Sequence, residues 1–181
     1  GIASVVSGVA ITSTYCEIDN CRFDYSTTLF SFVRGISTTA AANYMYIHDN
    51  EFVSEISATP TSIAAIGLIG VDRSKILSNT FVGSWTYAPI YCTTTLCTMV
   101  DIGKNIIYNS YTVAARPNNG INSVGLASTG IIWDNRVTAL YAQTSAKLLC
   151  FGNATAHNNT CVNAVAECEG KAALYYTASS A

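Results

Sequence analysis

The sequence predicts an all-β fold, a parallel β-solenoid, on three observations. A six-residue pattern recurs six times at a near-constant period. Each copy is accompanied by a further short apolar stretch bounded by turn formers. No amphipathic stretch of about 12 or more residues stands out as a helix. The copies are Ile18-Asp19-Asn20-Cys21-Arg22-Phe23, Ile47-His48-Asp49-Asn50-Glu51-Phe52, Ile76-Leu77-Ser78-Asn79-Thr80-Phe81, Ile106-Ile107-Tyr108-Asn109-Ser110-Tyr111, Ile132-Trp133-Asp134-Asn135-Arg136-Val137 and Ala156-His157-Asn158-Asn159-Thr160-Cys161. The fourth position reads Cys21, Asn50, Asn79, Asn109, Asn135 and Asn159, in steps of 29, 29, 30, 26 and 24 residues. A period in this range marks a repeat architecture.

Within each copy the first and sixth positions are apolar and the fourth is nearly always Asn. Short apolar stretches broken by Asn, Asp, Ser and Gly read as strands and turns. Asn suits the corner because it tolerates the left-handed region and its amide satisfies local backbone groups. Coils stacked at about 4.8 Å place each corner Asn over the next, so the amides can bond along the stack as a ladder. The remaining strands are expected at Val5-Val6, Val9-Ala10-Ile11, Leu29-Phe30-Ser31-Phe32-Val33, Ile63 to Ile69, Pro89 to Cys92, Thr98-Met99-Val100, Ser123 to Leu126, Lys147 to Phe151 and Ala172 to Tyr176.

The Ile-x-x-Asn-x-Phe pattern, held in register over roughly residues 10 to 176, resembles the single-stranded right-handed parallel β-helix shared by pectate-lyase-like enzymes and bacteriophage tailspikes. At 181 residues the resemblance implies one domain, residues 1–181, of about seven coils, some 30–35 Å long. Repeat material at both ends suggests a segment or processed piece of a longer chain or assembly, because exposed solenoid ends need capping.

Charged residues make up 11% of the chain, against a usual share of about 25%, while hydrophobic residues reach 50%. Much of the surface is therefore Ser, Thr, Ala, Asn and Tyr, and self-association in a stacked assembly or homotrimer is expected, the trimer by resemblance to tailspikes. Nine scattered Lys and Arg form no basic stripe, so nucleic acid is not an expected partner. No apolar run is long enough for a membrane-spanning helix.

The seven cysteines are Cys16, Cys21, Cys92, Cys97, Cys150, Cys161 and Cys168. Cys16/Cys21 and Cys92/Cys97 share a five-residue offset that could close small loops. Buried thiols are expected at Cys21, Cys150 and Cys161, with Cys161–Cys168 and Cys92–Cys97 disulfides left open. Zinc-ligand spacing is missing, and no metal or cofactor is expected. Two glycosylation sequons, at Asn153 and Asn158, carry little weight in a chain rich in Asn and Thr.

Carbohydrate-active enzymes of the resembled fold use acids from neighbouring coils. Asp72 and Asp101 lie 29 residues apart, as do Lys75 and Lys104, so each pair is expected to stack. Carboxylates with adjacent bases could hold Ca²⁺ and abstract a proton, or act as an acid/base pair. The bland reading is a repeated surface turn with mutually neutralising charges. Asp19, Asp49 and Asp134 precede the ladder position as turn formers, and His48 and His157 share a motif position too many coils apart to meet. Tyr44, Tyr46, Tyr87, Tyr91, Tyr108 and Tyr141, with Trp85 and Trp133, could stack on sugar rings or a partner.

Two functions follow. One is a non-enzymatic structural or adhesive subunit of an extracellular or virion-surface assembly, such as a tailspike, fibre, capsid-decorating protein or filament. The other is a polysaccharide lyase or glycosidase, a depolymerase using Asp72 and Asp101 with Lys75 or Lys104. Passive carbohydrate binding is a weaker third.

Overall fold

The computed structural model describes residues 5–25, 32–54, 63–92, 96–109, 120–123, 129–139, 147–151, 154–162, 165–168 and 176–179. These residues contain strands and no helix. The strands form three parallel sheets of seven, six and seven strands, each strand pairing with its equivalent in the next turn of chain. This is the parallel β-solenoid the repeat predicts.

The first sheet holds Val5–Ile11, Phe32–Thr38, Ala64–Leu68, Ile90–Cys92, Ile121–Ser123, Lys147–Phe151 and Val165–Cys168. The second holds the three-residue strands Glu17–Asp19, Tyr46–His48, Lys75–Leu77, Asp101–Gly103, Ile131–Trp133 and Thr155–His157. The third holds Arg22–Tyr25, Glu51–Ser54, Thr80–Gly83, Ile106–Asn109, Arg136–Ala139, Asn159–Val162 and Tyr176–Ser179.

Each sheet sends apolar side chains into a shared core. The second sheet contributes Ile18, Ile47, Ile76, Ile102, Ile132 and Ala156, stacked in register. The third contributes Phe23, Phe52, Phe81, Ile107, Val137 and Cys161. Phe23, Phe52 and Phe81 stack face to face, with ring centroids 4.7 and 5.0 Å apart. Trp85 meets the edge of Phe81 and is fully buried, so it belongs to the core and not to a binding face. Burying each such side chain contributes about 1.5–3 kcal/mol.

The corner between the second and third sheets carries the asparagine ladder. Asn79 Oδ1 accepts from Asn50 N and Nδ2, both at 3.1 Å. Asn105 Oδ1 accepts from Asn79 N and Nδ2 at 2.9 and 3.1 Å. Asn135 Oδ1 accepts from Asn105, and Asn159 Oδ1 from Asn135, in the same way. Each Nδ2 also donates to a strand carbonyl in the preceding turn, such as Ile47 O for Asn79 and Ile76 O for Asn105.

The ladder corrects the expected register. Its member between Asn79 and Asn135 is Asn105, whereas Asn109 ends a strand of the third sheet opposite Gly83 and Ala139. The steps are therefore 29, 29, 26, 30 and 24. Cys21 occupies the first ladder position, where its N–H donates to Asn50 Oδ1 at 3.0 Å, but its side chain is exposed and not a buried thiol. Cys161 is buried as expected, and burial pushes its thiol up to about 12. The side chains of Cys150 and Cys168 lie outside the described residues, as do Tyr141 and residues 93–95.

The expected strand at Thr98 to Val100 is also corrected. Thr98 makes an isolated bridge to Asp72, and Met99 is an exposed corner residue at φ 50°.

Candidate functional site: the outer face of the second sheet

Alternation along three-residue strands puts the middle residue inside and the two flanking residues outside. The outer face of the second sheet therefore carries two columns. One reads Glu17, Tyr46, Lys75, Asp101, Ile131 and Thr155; the other reads Asp19, His48, Leu77, Gly103, Trp133 and His157.

A left-handed corner bounds the face on each side. Tyr15, Tyr44, Arg73 and Met99 have φ of 48–57° on one edge, and Asn20, Asp49, Ser78, Lys104, Asp134 and Asn158 have φ of 49–57° on the other. The left-handed residue is thus the one before the ladder Asn, so turn geometry and amide satisfaction fall to two adjacent residues. Asn and Asp fill four of the six left-handed positions on the ladder edge, in keeping with their tolerance of that region.

Two polar clusters occupy this face. In the first, His48 Nδ1 lies 2.7 Å from Asp49 Oδ2 and Nε2 lies 2.9 Å from Glu17 Oε1, while Tyr46 stacks on the imidazole at 3.8 Å. Both ring nitrogens can donate only in the imidazolium form. The hydrogen bonds to Asp49 and then to Glu17 accordingly raise the His48 pKa above its ordinary value. His48 is a strand residue on this outer face, and its side chain is 14% exposed.

In the second cluster the Trp133 indole lies across Gly103, in space that a β-carbon there would need. Its Nε1–H donates to Asp101 Oδ1, and Lys104 Nζ sits 5.3 Å from the ring centroid. His157 stacks beyond it at 6.4 Å. At the neighbouring edge Tyr15 and Tyr44 stack at 4.8 Å, and Arg73 lies over the Tyr44 ring while donating to its hydroxyl at 2.8 Å.

The expected pairing of Asp72 over Asp101 does not occur. Asp101 lies opposite Lys75, and Asp72 lies opposite Thr98 at the preceding corner. The 26-residue step moves both relationships by three residues. Asp72 is held by Arg73 at 2.9 Å and by the Thr98 hydroxyl, and Asp101 by Trp133. Lys104 likewise does not stack on Lys75; it occupies the left-handed corner beside Trp133. Lys75 and Asp101 do share a shallow hollow of about 240 Å³ with Arg73, Met99, Val100, Thr129 and Ile131. A second hollow of about 410 Å³ lies along the ladder corner beside Arg22, Asp49 and Glu51, where Arg22 and Glu51 pair at 2.6 Å.

This arrangement presents fixed ring faces, cations and carboxylates to solvent, but leaves no adjacent pair of acids among the candidates. Sequence reading flagged Trp133 and Tyr46, but it missed the Gly103 cradle and the Glu17–His48–Asp49 cluster. Both would follow from the strand pairing once the register is known. Among the described residues no group of His, Cys, Asp and Glu is placed to hold a metal, and no helix is long and apolar enough to cross a membrane. Comparison with family models, curated proteins and solved structures finds no match.

Proposed function

We propose that this chain is a non-enzymatic structural or adhesive β-helix subunit of a surface assembly, extracellular or on a virion, of the tailspike, fibre, capsid-decorating or filament type. On this reading the coils wind right-handed and number about seven, and the subunits associate as a homotrimer or a stack.

The observation that carries the reading is the separation of Asp72 from Asp101, each engaged by its own neighbours, on a face otherwise given to ring stacks. Paired-carboxylate hydrolysis needs two acids flanking one bond. Exposed apolar groups also support association: Tyr15, Leu96, Met99, Ile106 and Ile131 all present large apolar area. Polysaccharide is the partner whose chemistry suits the aromatic face, since Tyr and Trp faces stack on apolar sugar faces.

Light scattering on the purified chain is expected to give a trimer or larger mass, and a monodisperse monomer would contradict the assembly reading. The depolymerase reading keeps one supporting feature, the hollow shared by Lys75, Asp101 and Arg73. Incubation with acidic polysaccharides is expected to yield no new reducing ends or unsaturated products. Products that disappear in Asp72→Ala or Asp101→Ala would establish the enzyme instead.

A further inference from the structure

Cys92 and Cys97 meet at the corner between the first and second sheets. Cys92 ends a strand of the first sheet and lies in register with Leu68. Thr98 N donates to Val71 O at 2.9 Å, which fixes Cys97 over the Gly70–Val71 turn of the preceding coil. Both cysteines are fully buried in the same core cluster as Leu68 and Val71, and neither is in a disulfide. The two thiols are hydrogen-bonded to each other, and the backbone N–H groups of Gly70 and Val71 point at the Cys97 sulfur. Gly70 has φ 59°, so this turn offers successive N–H groups to one anionic atom, the arrangement of a backbone nest.

We propose that Cys92 and Cys97 form a modification site, a dithiol that closes to a disulfide within one coil, with Cys97 as the attacking sulfur and Cys92 as the resolving one. The co-reactant is a low-molecular-weight disulfide, admitted by local opening of the corner because both sulfurs are buried. Cys97 thiolate attacks one sulfur of that disulfide, breaking its S–S bond and releasing one thiolate, which takes a proton from water. Cys92 then loses its proton and attacks the Cys97 sulfur of the mixed disulfide, expelling the second thiol. Two protein thiols are oxidised and one disulfide is reduced to two thiols.

The roles divide because the environments differ. The hydrogen bond from Cys92 and the N–H groups of Val71 and Gly70 outweigh burial and bring the Cys97 thiol down to about 7. The same hydrogen bond, with burial, pushes Cys92 well above its ordinary value. Cys16 and Cys21 have the same spacing in sequence, yet a strand separates them. Three extended residues span roughly 10 Å, beyond the reach of a disulfide, whose Cα atoms lie within about 7 Å.

Lys75 and Lys104 bound a tryptic peptide whose only cysteines are Cys92 and Cys97. Folded protein is treated with oxidised glutathione, quenched with an alkylating agent and digested. The expected result is a peptide lighter by two hydrogen atoms and unalkylated, while the peptide holding Cys16 and Cys21 carries alkyl or glutathione adducts only. Formation of the mixed disulfide at Cys97, the step its thiolate governs, is expected to accelerate about tenfold per pH unit below pH 7 and to level off above it. In Cys92→Ser, Cys97 is expected to stop at the glutathione adduct; in Cys97→Ser, Cys92 is expected to stay unmodified. A dialkylated peptide, adducts on both cysteines, pairing with a third cysteine or closure only in denaturant would each overturn the proposal. The wild-type peptide decides the matter if either variant fails to fold.

Discussion

Asn79 shows what one ladder residue contributes. Its side chain accepts two hydrogen bonds from Asn50 and donates to Ile47 O, Leu77 O and Asn105 Oδ1, all at a buried corner. Asn79→Leu leaves several of these groups without partners, each at about 1–3 kcal/mol. A loss of about 3 kcal/mol or more is expected in urea unfolding. Asn105→Leu is expected to do the same, which tests the ladder register directly. Cys21→Asn extends the ladder by one donor to Asn50 Oδ1, at an exposed position; a gain of about 0.5–1 kcal/mol is expected. His48 supplies a pH signature. Its folded pKa is raised, so its contribution to stability is complete below the unfolded value of about 6.5 and is lost as pH rises through the folded value. Unfolding midpoints measured from about pH 6 to about pH 8 are expected to fall more in the wild type than in His48→Gln.

At the scale of elements, stability lies in columns more than in single strands. A three-residue strand has almost no stability alone, but here all except the two end strands of the second sheet are paired on both sides, and each is anchored by an inward Ile or, in Thr155–His157, by Ala156. Phe52 sits between Phe23 and Phe81, fully buried, so Phe52→Ala removes both stacking contacts of the column. Its expected effect is about 3–5 kcal/mol. The outer columns follow the same logic in reverse. Trp133 lies flat only because Gly103 opposite it has no side chain. Gly103→Ala is expected to displace the indole and break its bond to Asp101, at about 1–3 kcal/mol. The change should appear as a red shift in tryptophan emission that is absent from a Trp133→Phe background, because the other tryptophan, Trp85, is buried in the core.

For the molecule as a whole, the arrangement is a rod with a continuous apolar interior and low surface charge. Among the described residues, the second-sheet face alone combines ring stacks with charges of both signs. Many parallel pairings join residues about 30 positions apart, so folding requires loop closure at every turn. Slow refolding, in milliseconds to seconds or longer by stopped-flow fluorescence, is the expected outcome, with Asn79→Leu and Phe52→Ala slowing it further if the corner and the aromatic stack form early.

The sequence by itself determined the architecture. A recurring Ile-x-x-Asn-x-apolar pattern dictates strand, corner, strand, and its periodicity assigns inward and outward positions at nearly every repeat. It could not decide the register between Asn79 and Asn135. Both Ile102-x-x-Asn105-x-Ile107 and Ile106-x-x-Asn109-x-Tyr111 satisfy the pattern, and the even period favours the second. Stacking chose the first, because the ladder amides, the inner Ile column and the Phe-to-Ile column must all align at once. That choice parted Asp72 from Asp101 and set Lys75 opposite Asp101. Tertiary structure also distinguished two cysteine pairs of identical spacing, since one flanks an extended strand and the other is set over Leu68 to Val71 of the preceding coil. The physical reason is common to both cases. Sequence distance counts residues, whereas contact in a solenoid depends on how many of them the loops absorb between hydrogen-bonded strands.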